Sequence, residues 1–306
     1  MASKLLRKDP QRLGLLRRKF LGDVRKEFAK IKSLVYQRIV TEDSFGLANV
    51  KPLSINTQWK YLSLDQQVDQ FNMWLTLVFQ AGILRRSPDG SPWFAKYVLD
   101  AYVKGATRAF ADIHKMHRFT SLGAYNIKER QFLLMFRHNA TGRAKEKIVV
   151  KRAAAQVESL MNPVLQNMPR IISLGLTRRV RPQVLATAVI NEITGVKTPQ
   201  GKLTVNAKKK KKGVDARASR IVNTETSHAF TEGQLDAMDE LGLEDVEIMA
   251  EWVTADDPCP ECEELEGSRW RLEDAYGVIP KHPNCKCCFV ATDAEDNTWI
   301  TPEWIT

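Results

Sequence analysis

Along residues 17–40 apolar side chains return every three or four positions, at Phe20, Val24, Phe28, Ile31, Val35 and Ile39. Arg17, Arg18, Arg25, Lys26, Lys30 and Lys32 fill the positions between them. That spacing gathers the apolar groups into one stripe and predicts a basic amphipathic helix. Residues 41–60 lose the period, with Asp43, Gly46 and Pro52 as punctuation, and are expected to be loop or short strand. Ser63 and Gln66 have the form of a capping box for a second helix, with Val68, Phe71, Leu75 and Val78 on its apolar side and Gly82 at its stop. After a loop at 85–91, Pro92 is expected to open a third helix reaching about Met116. Residues 120–143 carry a short helical pattern at 128–138, between breaks at Gly123, Asn126 and Gly142. Helical pattern returns over 144–173, with interruptions expected at Pro163 and Pro169 because proline has no amide donor. Pro182 opens a further helix that Gly195 closes, residues 214–241 form another, and residues 246–252 alternate like a strand.

The fold class is therefore mainly α: a helical N-terminal body over 1–195, a Lys-rich linker over 196–213, and a small α+β module over 214–306. A chain of 306 residues has ample length for a real core. The N-terminus is charged from Lys4 onward, so no leader is expected, and the longest apolar run, near 73–84, contains Thr76 and Gln80. No membrane partner is expected.

Charge sharpens this division. The formal net charge is +10, but residues 1–212 hold 40 Lys/Arg against 14 Asp/Glu, and the remainder 6 against 22. Such asymmetry predicts a basic body that meets an acidic partner, either DNA or an acidic protein surface, and an acidic module with another task. Candidate contacts are Arg17 and Arg18 on the first helix and Lys208, Lys209, Lys210, Lys211 and Lys212 in the linker. The lysine run reads first as solvated surface, with a phosphate contact as the sharper second reading.

The densest chemistry is C-terminal. Cys259 and Cys262 form a C-x2-C hook, and after nineteen intervening residues His282 and Cys285 form an H-x2-C hook. Two such hooks supply the four N/S ligands that tetrahedral Zn²⁺ takes, and Cys287 is an alternative ligand. Cys288 would point away from them on a strand and reads as a small buried apolar group. Free thiols packed beneath a loop are the bland alternative. Four protein ligands leave no open position, so the Zn²⁺ is expected to be structural, stapling a segment with little apolar mass. A nucleotide-deaminase reading needs an H-x-E upstream of P-C-x-x-C, and no histidine in the chain has glutamate two residues later. Glu225 and His228 share a helix face at i, i+3, and Asp256, Asp257, Glu261 and Glu263 crowd the first hook. The acidic crowd leaves a zinc-stapled nuclease or toxin-like fold as an alternative, beside a zinc-containing DNA-binding protein. Neither pattern amounts to a catalytic constellation, however, so no enzymatic activity is expected.

The same stretch resembles the head morphogenesis (minor head) proteins of tailed bacteriophages, the Mu F-like family. The resemblance lies in Arg217, Arg220, Ile221, Thr224, Glu225 and Thr226, then in Glu251, Trp252, Thr254, Ala255 and Asp257. It continues through Cys259, Cys262, Leu265, Glu266 and Gly267 to Ile279, Pro280, His282, Pro283, Asn284, Cys285, Lys286 and Cys287. Lys286 stands where the family usually has arginine. A weaker likeness upstream includes Gln66, Val68, Phe71, Trp74 and Leu75, then Tyr97, Ala101, Tyr102, Lys104 and Gly105. The resemblance implies a low-copy virion-head component that associates with the portal vertex, scaffold or major capsid protein and influences packaging or ejection of DNA. Within the matching motif, Arg217, Arg220 and Glu225 are expected to form an ion-pair and hydrogen-bond network with the Trp252–Asp257 segment, an exposed helix face being the bland alternative.

Overall fold

The computed structural model describes residues 9–48, 59, 62–115, 128–138, 140–195, 211–241 and 248–293. It is mostly helical, with one small antiparallel sheet. Helix α1 (Gly14–Tyr36) runs into a π-helical turn at Gln37–Thr41. Phe20, Val24, Phe28, Ile31, Val35 and Ile39 are all buried, as the spacing predicts. Ahead of helix α2 (Leu64–Ala81), Ser63 N donates to Gln66 Oε1 at 3.0 Å and Gln66 N to Ser63 Oγ at 3.4 Å, completing the capping box. Its buried stripe is Val68, Phe71, Leu75 and Phe79, with Phe79 taking the place expected of Val78.

Two proline expectations change. Pro92 bridges Arg86 as extended backbone, so helix α3 starts later and covers Ala95–Lys115. Helix α4 spans Glu129–His138, and helix α5 runs unbroken over Ala140–Thr177, through Gly142, Pro163 and Pro169. An interior proline costs about 3 kcal/mol. Against that, Val149, Ala153, Val157, Met161, Val164, Met168 and Ile172 bury one continuous face. Each large member contributes roughly 1.5–3 kcal/mol, so packing carries the helix past both prolines.

Helix α6 (Pro182–Thr194) ends at Gly195, whose φ of +70° is the left-handed cap that glycine supplies. Helix α7 (Lys211–Leu241) begins within the expected linker and takes in Lys211 and Lys212; Lys208, Lys209 and Lys210 lie outside the described residues. Strand β1 (Ile248–Val253) is central in the order β2-β1-β3. A one-turn helix α8 (Pro260–Glu263), strand β2 (Arg269–Arg271), a one-turn helix α9 (Leu272–Ala275) and strand β3 (Cys288–Asp293) follow.

The chain forms two compact units, neither contiguous in sequence. One comprises residues 21–93 and 154–219, with α2, α6, most of α1 and the later part of α5; within it α6 packs on the π turn. The other comprises residues 1–20, 94–153 and 220–306, where α3 packs against α4 and β3. The C-terminal segment is thus compacted with residues from the chain's start and middle. In the second unit α3 and α7 touch backbone to backbone: a Cβ on Gly105 would lie 1.9 Å from Phe230 O, and one on Gly233 would lie 2.0 Å from Tyr102 O.

Candidate metal centre

Antiparallel pairing sets Val253, at the end of β1, opposite Cys288, at the start of β3. The hook that follows β1 and the hook that precedes β3 therefore meet at one end of the sheet. The first hook is a tight turn: Cys259 O accepts from Cys262 N at 3.0 Å and from Glu263 N at 2.9 Å, and Pro260 occupies the first helical position. In the second, Cys285 N donates to His282 O at 3.1 Å. Asn284 adopts φ +68°, a left-handed conformation that asparagine tolerates, and its amide donates to Thr224 Oγ1 of α7 at 3.1 Å.

The donor atoms converge in two overlapping triads, Cys259 with Cys262 and His282, and Cys262 with Cys285 and Cys287. Within each triad all atoms lie within 4.8 Å of one another. Cys262 Sγ is 3.9 Å from Cys285 Sγ and 3.2 Å from His282 Nε2. Bond lengths of 2.3 Å to sulfur and 2.0 Å to nitrogen imply tetrahedral edges of about 3.8 and about 3.5 Å, so these two spacings match edges of a tetrahedral site, while the donors as a whole are grouped in threes around Cys262. His282 Nδ1 donates to Pro283 O at 3.0 Å, which leaves Nε2 with its lone pair toward Cys262. The cluster can hold a metal ion. It contains all four ligands expected, together with the alternative Cys287.

An open cleft of about 370 Å³ borders the cluster, with Asp256, Asp257 and Lys286 on its walls. A hydrogen bond from Cys287 holds the Cys285 thiol down, to about 5, and the same contact pushes Cys287 up. Burial raises Cys262 to about 12. A cation is needed to stabilise several thiolates together here, so metal uptake releases protons. Cys288 is fully buried outside both triads, where burial pushes it up to about 12, in keeping with its apolar reading.

Arg17 requires correction. Expected to contact a partner, it is only 6% exposed and is bonded internally to Asp9, Gln11, Thr226 and Ser227. It lies three residues before Phe20 and thus on the buried stripe, a signal already present in the spacing. Arg18 is exposed. Arg217, Arg220 and Glu225, expected to join the Trp252–Asp257 segment in a network, have different surroundings. The Arg217 guanidinium lies against Gly195, Arg220 is exposed, and Glu225 is buried facing Arg152. The Trp252 ring stands edge-on to Phe289 with its centroid 5.7 Å away, and its N–H has no partner among the described residues.

Helix α7 instead carries a buried polar seam that periodicity missed. His228 Nε2 meets Arg152 and lies 3.3 Å from Glu232, and Asp236 accepts from Tyr102 at 2.6 Å, Lys145 at 2.5 Å and Tyr276 at 2.9 Å. These pairings join the acidic C-terminal segment to basic residues of 94–153. By unit, the charges are 25 Lys/Arg against 26 Asp/Glu here and 21 against 10 in the other unit. Counted by unit, the basic surplus lies in residues 21–93 and 154–219.

Burial raises the Glu225 carboxyl from its ordinary 4.5 to about 8, and burial with the Arg152 charge lowers His228 from 6.5 to about 3. A raised carboxyl contributes stability that is lost as pH climbs from 4.5 to about 8; a lowered imidazole contributes stability lost as pH falls from 6.5 to about 3. Between 4.5 and 6.5 the fold holds its proton on Glu225 and the unfolded chain on His228, so their effects cancel. Above 6.5 the Glu225 contribution falls by up to about 1.4 kcal/mol per pH unit. The depressed Cys285 thiol contributes with opposite sign from about 5 upward, so the carboxyl's share is read as the difference between wild type and Glu225→Gln. Urea unfolding between pH 6 and 8 checks this: the stability of Glu225→Gln relative to the wild type is expected to rise with pH, and a difference that does not change with pH refutes it.

No protein-family model, curated protein or solved structure matches the chain. Among the described residues no helix is long and apolar enough to cross a membrane.

Proposed function

We propose that this chain is a structural, non-enzymatic minor head protein of a tailed bacteriophage. It assembles in the host cytoplasm into the virion head, against the portal, scaffold or major capsid protein, and assists head assembly, DNA packaging or ejection. Its cysteine–histidine cluster holds a structural Zn²⁺. The observation that carries this reading is the convergence, within the Mu F-like motif, of five soft donors, one more than tetrahedral coordination uses. Such a set leaves no vacant position for a substrate, so the ion's task is to hold the loop. The test is fractionation of procapsids and heads from infected cells. The protein is expected to sediment with portal-containing intermediates at low copy number and with one Zn²⁺ per chain; absence from every head intermediate refutes the assignment.

A second reading, nucleic-acid contact, draws on the surplus of cations in residues 21–93 and 154–219. There Arg170, Arg178, Arg179 and Arg181 are all exposed along the end of α5 and the turn into α6. Phosphate contacts of this kind weaken steeply with salt. DNA binding that falls by an order of magnitude or more between 50 and 200 mM salt supports it, and no binding at low salt removes it.

A further inference from the structure

The start of the described chain grips the metal loop by its backbone. Gln11 Nε2 donates to Cys287 O at 2.6 Å, and Ser227 Oγ donates to Cys285 O at 2.5 Å. Arg17 ties these two side chains together: Nη2 donates to Gln11 Oε1 and, at 2.9 Å, to Ser227 Oγ. Its Nε reaches Thr226 Oγ1 at 3.1 Å and Nη1 reaches Asp9 Oδ1 at 2.8 Å. Gln11, Arg17, Thr226 and Ser227 are all buried, and Cys285 and Cys287 are 1% and 2% exposed. An arginine is expensive to bury, and this one is retained with every nitrogen directed at a named acceptor.

The two carbonyls belong to residues whose sulfurs are candidate donors to the ion. A strand end or hairpin loop fixes such carbonyls only loosely, because the sheet ladder begins at Cys288. Gln11 and Ser227 supply what the ladder does not. Arg17 adds a cation beside a centre in which a dication with three thiolates and one imidazole carries a net negative charge, and Asp9 Oδ1 accepts from it at 2.8 Å.

We infer that Gln11, Arg17 and Ser227 are positioning residues of the metal centre, and that metal binding is coupled to the docking of residues 9–17. The inference rests on the metal reading above. By reciprocity, whatever loosens residues 9–17 weakens the site, and removing the ion loosens residues 9–17. Residues that orient ligands from outside the coordination sphere affect metal affinity by about 10- to 100-fold.

The test uses the full chain loaded with Zn²⁺. Its readouts are the rate of zinc loss to excess EDTA, the visible spectrum of the Co²⁺ form, and amide exchange over 9–17 and 282–288. Gln11→Ala and Arg17→Met are expected to lose zinc at least about 10-fold faster and to shift the Co²⁺ bands. Arg17→Lys, which keeps the charge but not the fork, recovers part of the loss, and Arg18→Ala matches the wild type. Chelation of the wild type is expected to deprotect residues 9–17. If Arg17→Met fails to fold, Gln11→Ala carries the comparison, since it removes one hydrogen-bonding arm and no charge. Stoichiometric zinc with unchanged release and spectra in Gln11→Ala, or residues 9–17 equally protected with and without the ion, overturns the coupling alone. A wild type that binds neither metal overturns the metal reading and the coupling together.

Discussion

Cys262→Ser is expected to abolish stoichiometric metal binding and to unfold the segment between β1 and β3. Cys262 belongs to both triads, so its loss leaves neither intact, whereas Cys259→Ser and Cys287→Ser each break one. The segment has little else to hold it. Between residues 254 and 287 the buried apolar side chains are Cys262, Ala275, Ile279, Cys285 and Cys287, so three of the five are candidate ligands. Structural zinc contributes on the order of 10 kcal/mol of apparent binding energy in small domains, far more than two buried aliphatic groups supply. Metal analysis should therefore find no bound zinc in Cys262→Ser and reduced affinity in the other two. Exchange protection should vanish over 254–287, while residues 21–93 and 154–219, which compact separately, keep theirs. Full zinc occupancy in Cys262→Ser would remove the site as drawn.

The legible parts of the molecule are those in which one local cause dominates. The stripe from Phe20 to Ile39 is wholly buried because a basic helix has only one apolar face to hide. Ser63 and Gln66 close their box because both partners lie within one turn. The hooks meet because their spacing and the β1–β3 pairing act in the same direction. What escaped was decided by tertiary burial. Pro163 and Pro169 sit inside α5 because seven buried side chains outweigh two lost amide bonds.

Helix α7 hid its role in another way. It buries Thr226, Ser227, His228, Thr231, Gln234 and Asp236, so no apolar period marks its inward face. Charge counting in chain order also gives no sign that Asp236 of the acidic segment pairs with Lys145, or that Glu225 is buried near Arg152, both from a distant stretch. Arg17 shows both effects together. Its side chain was read by charge, although its position in the helical period placed it inside.

The same polar helix makes the largest stability prediction. The hydrogen bond from Tyr102 to Asp236 spans α3 and α7 at 2.6 Å, near a crossing with no Cβ on either side. At Gly105 an added methyl would meet Phe230 O at 1.9 Å and Gln234 N at 2.9 Å; at Gly233 it would meet Tyr102 O at 2.0 Å. These obstacles are backbone atoms within two helices, so no rotamer change relieves them and the helices must move apart. Separation stretches the seam from Tyr102 to Asp236 and opens space along a packed face. Gly105→Ala and Gly233→Ala are each expected to cost about 3–5 kcal/mol, at the upper end of single substitutions, and to lower Tm by on the order of 10 °C. Gly22→Ala is the matched control. It lies inside α1 with nothing within 4 Å of the added atom, so helix propensity alone applies and should stabilise by up to about 1 kcal/mol. Opposite signs at Gly22 and Gly233 in one thermal series are the expected result, and a neutral Gly233→Ala would place the two helices farther apart than described here.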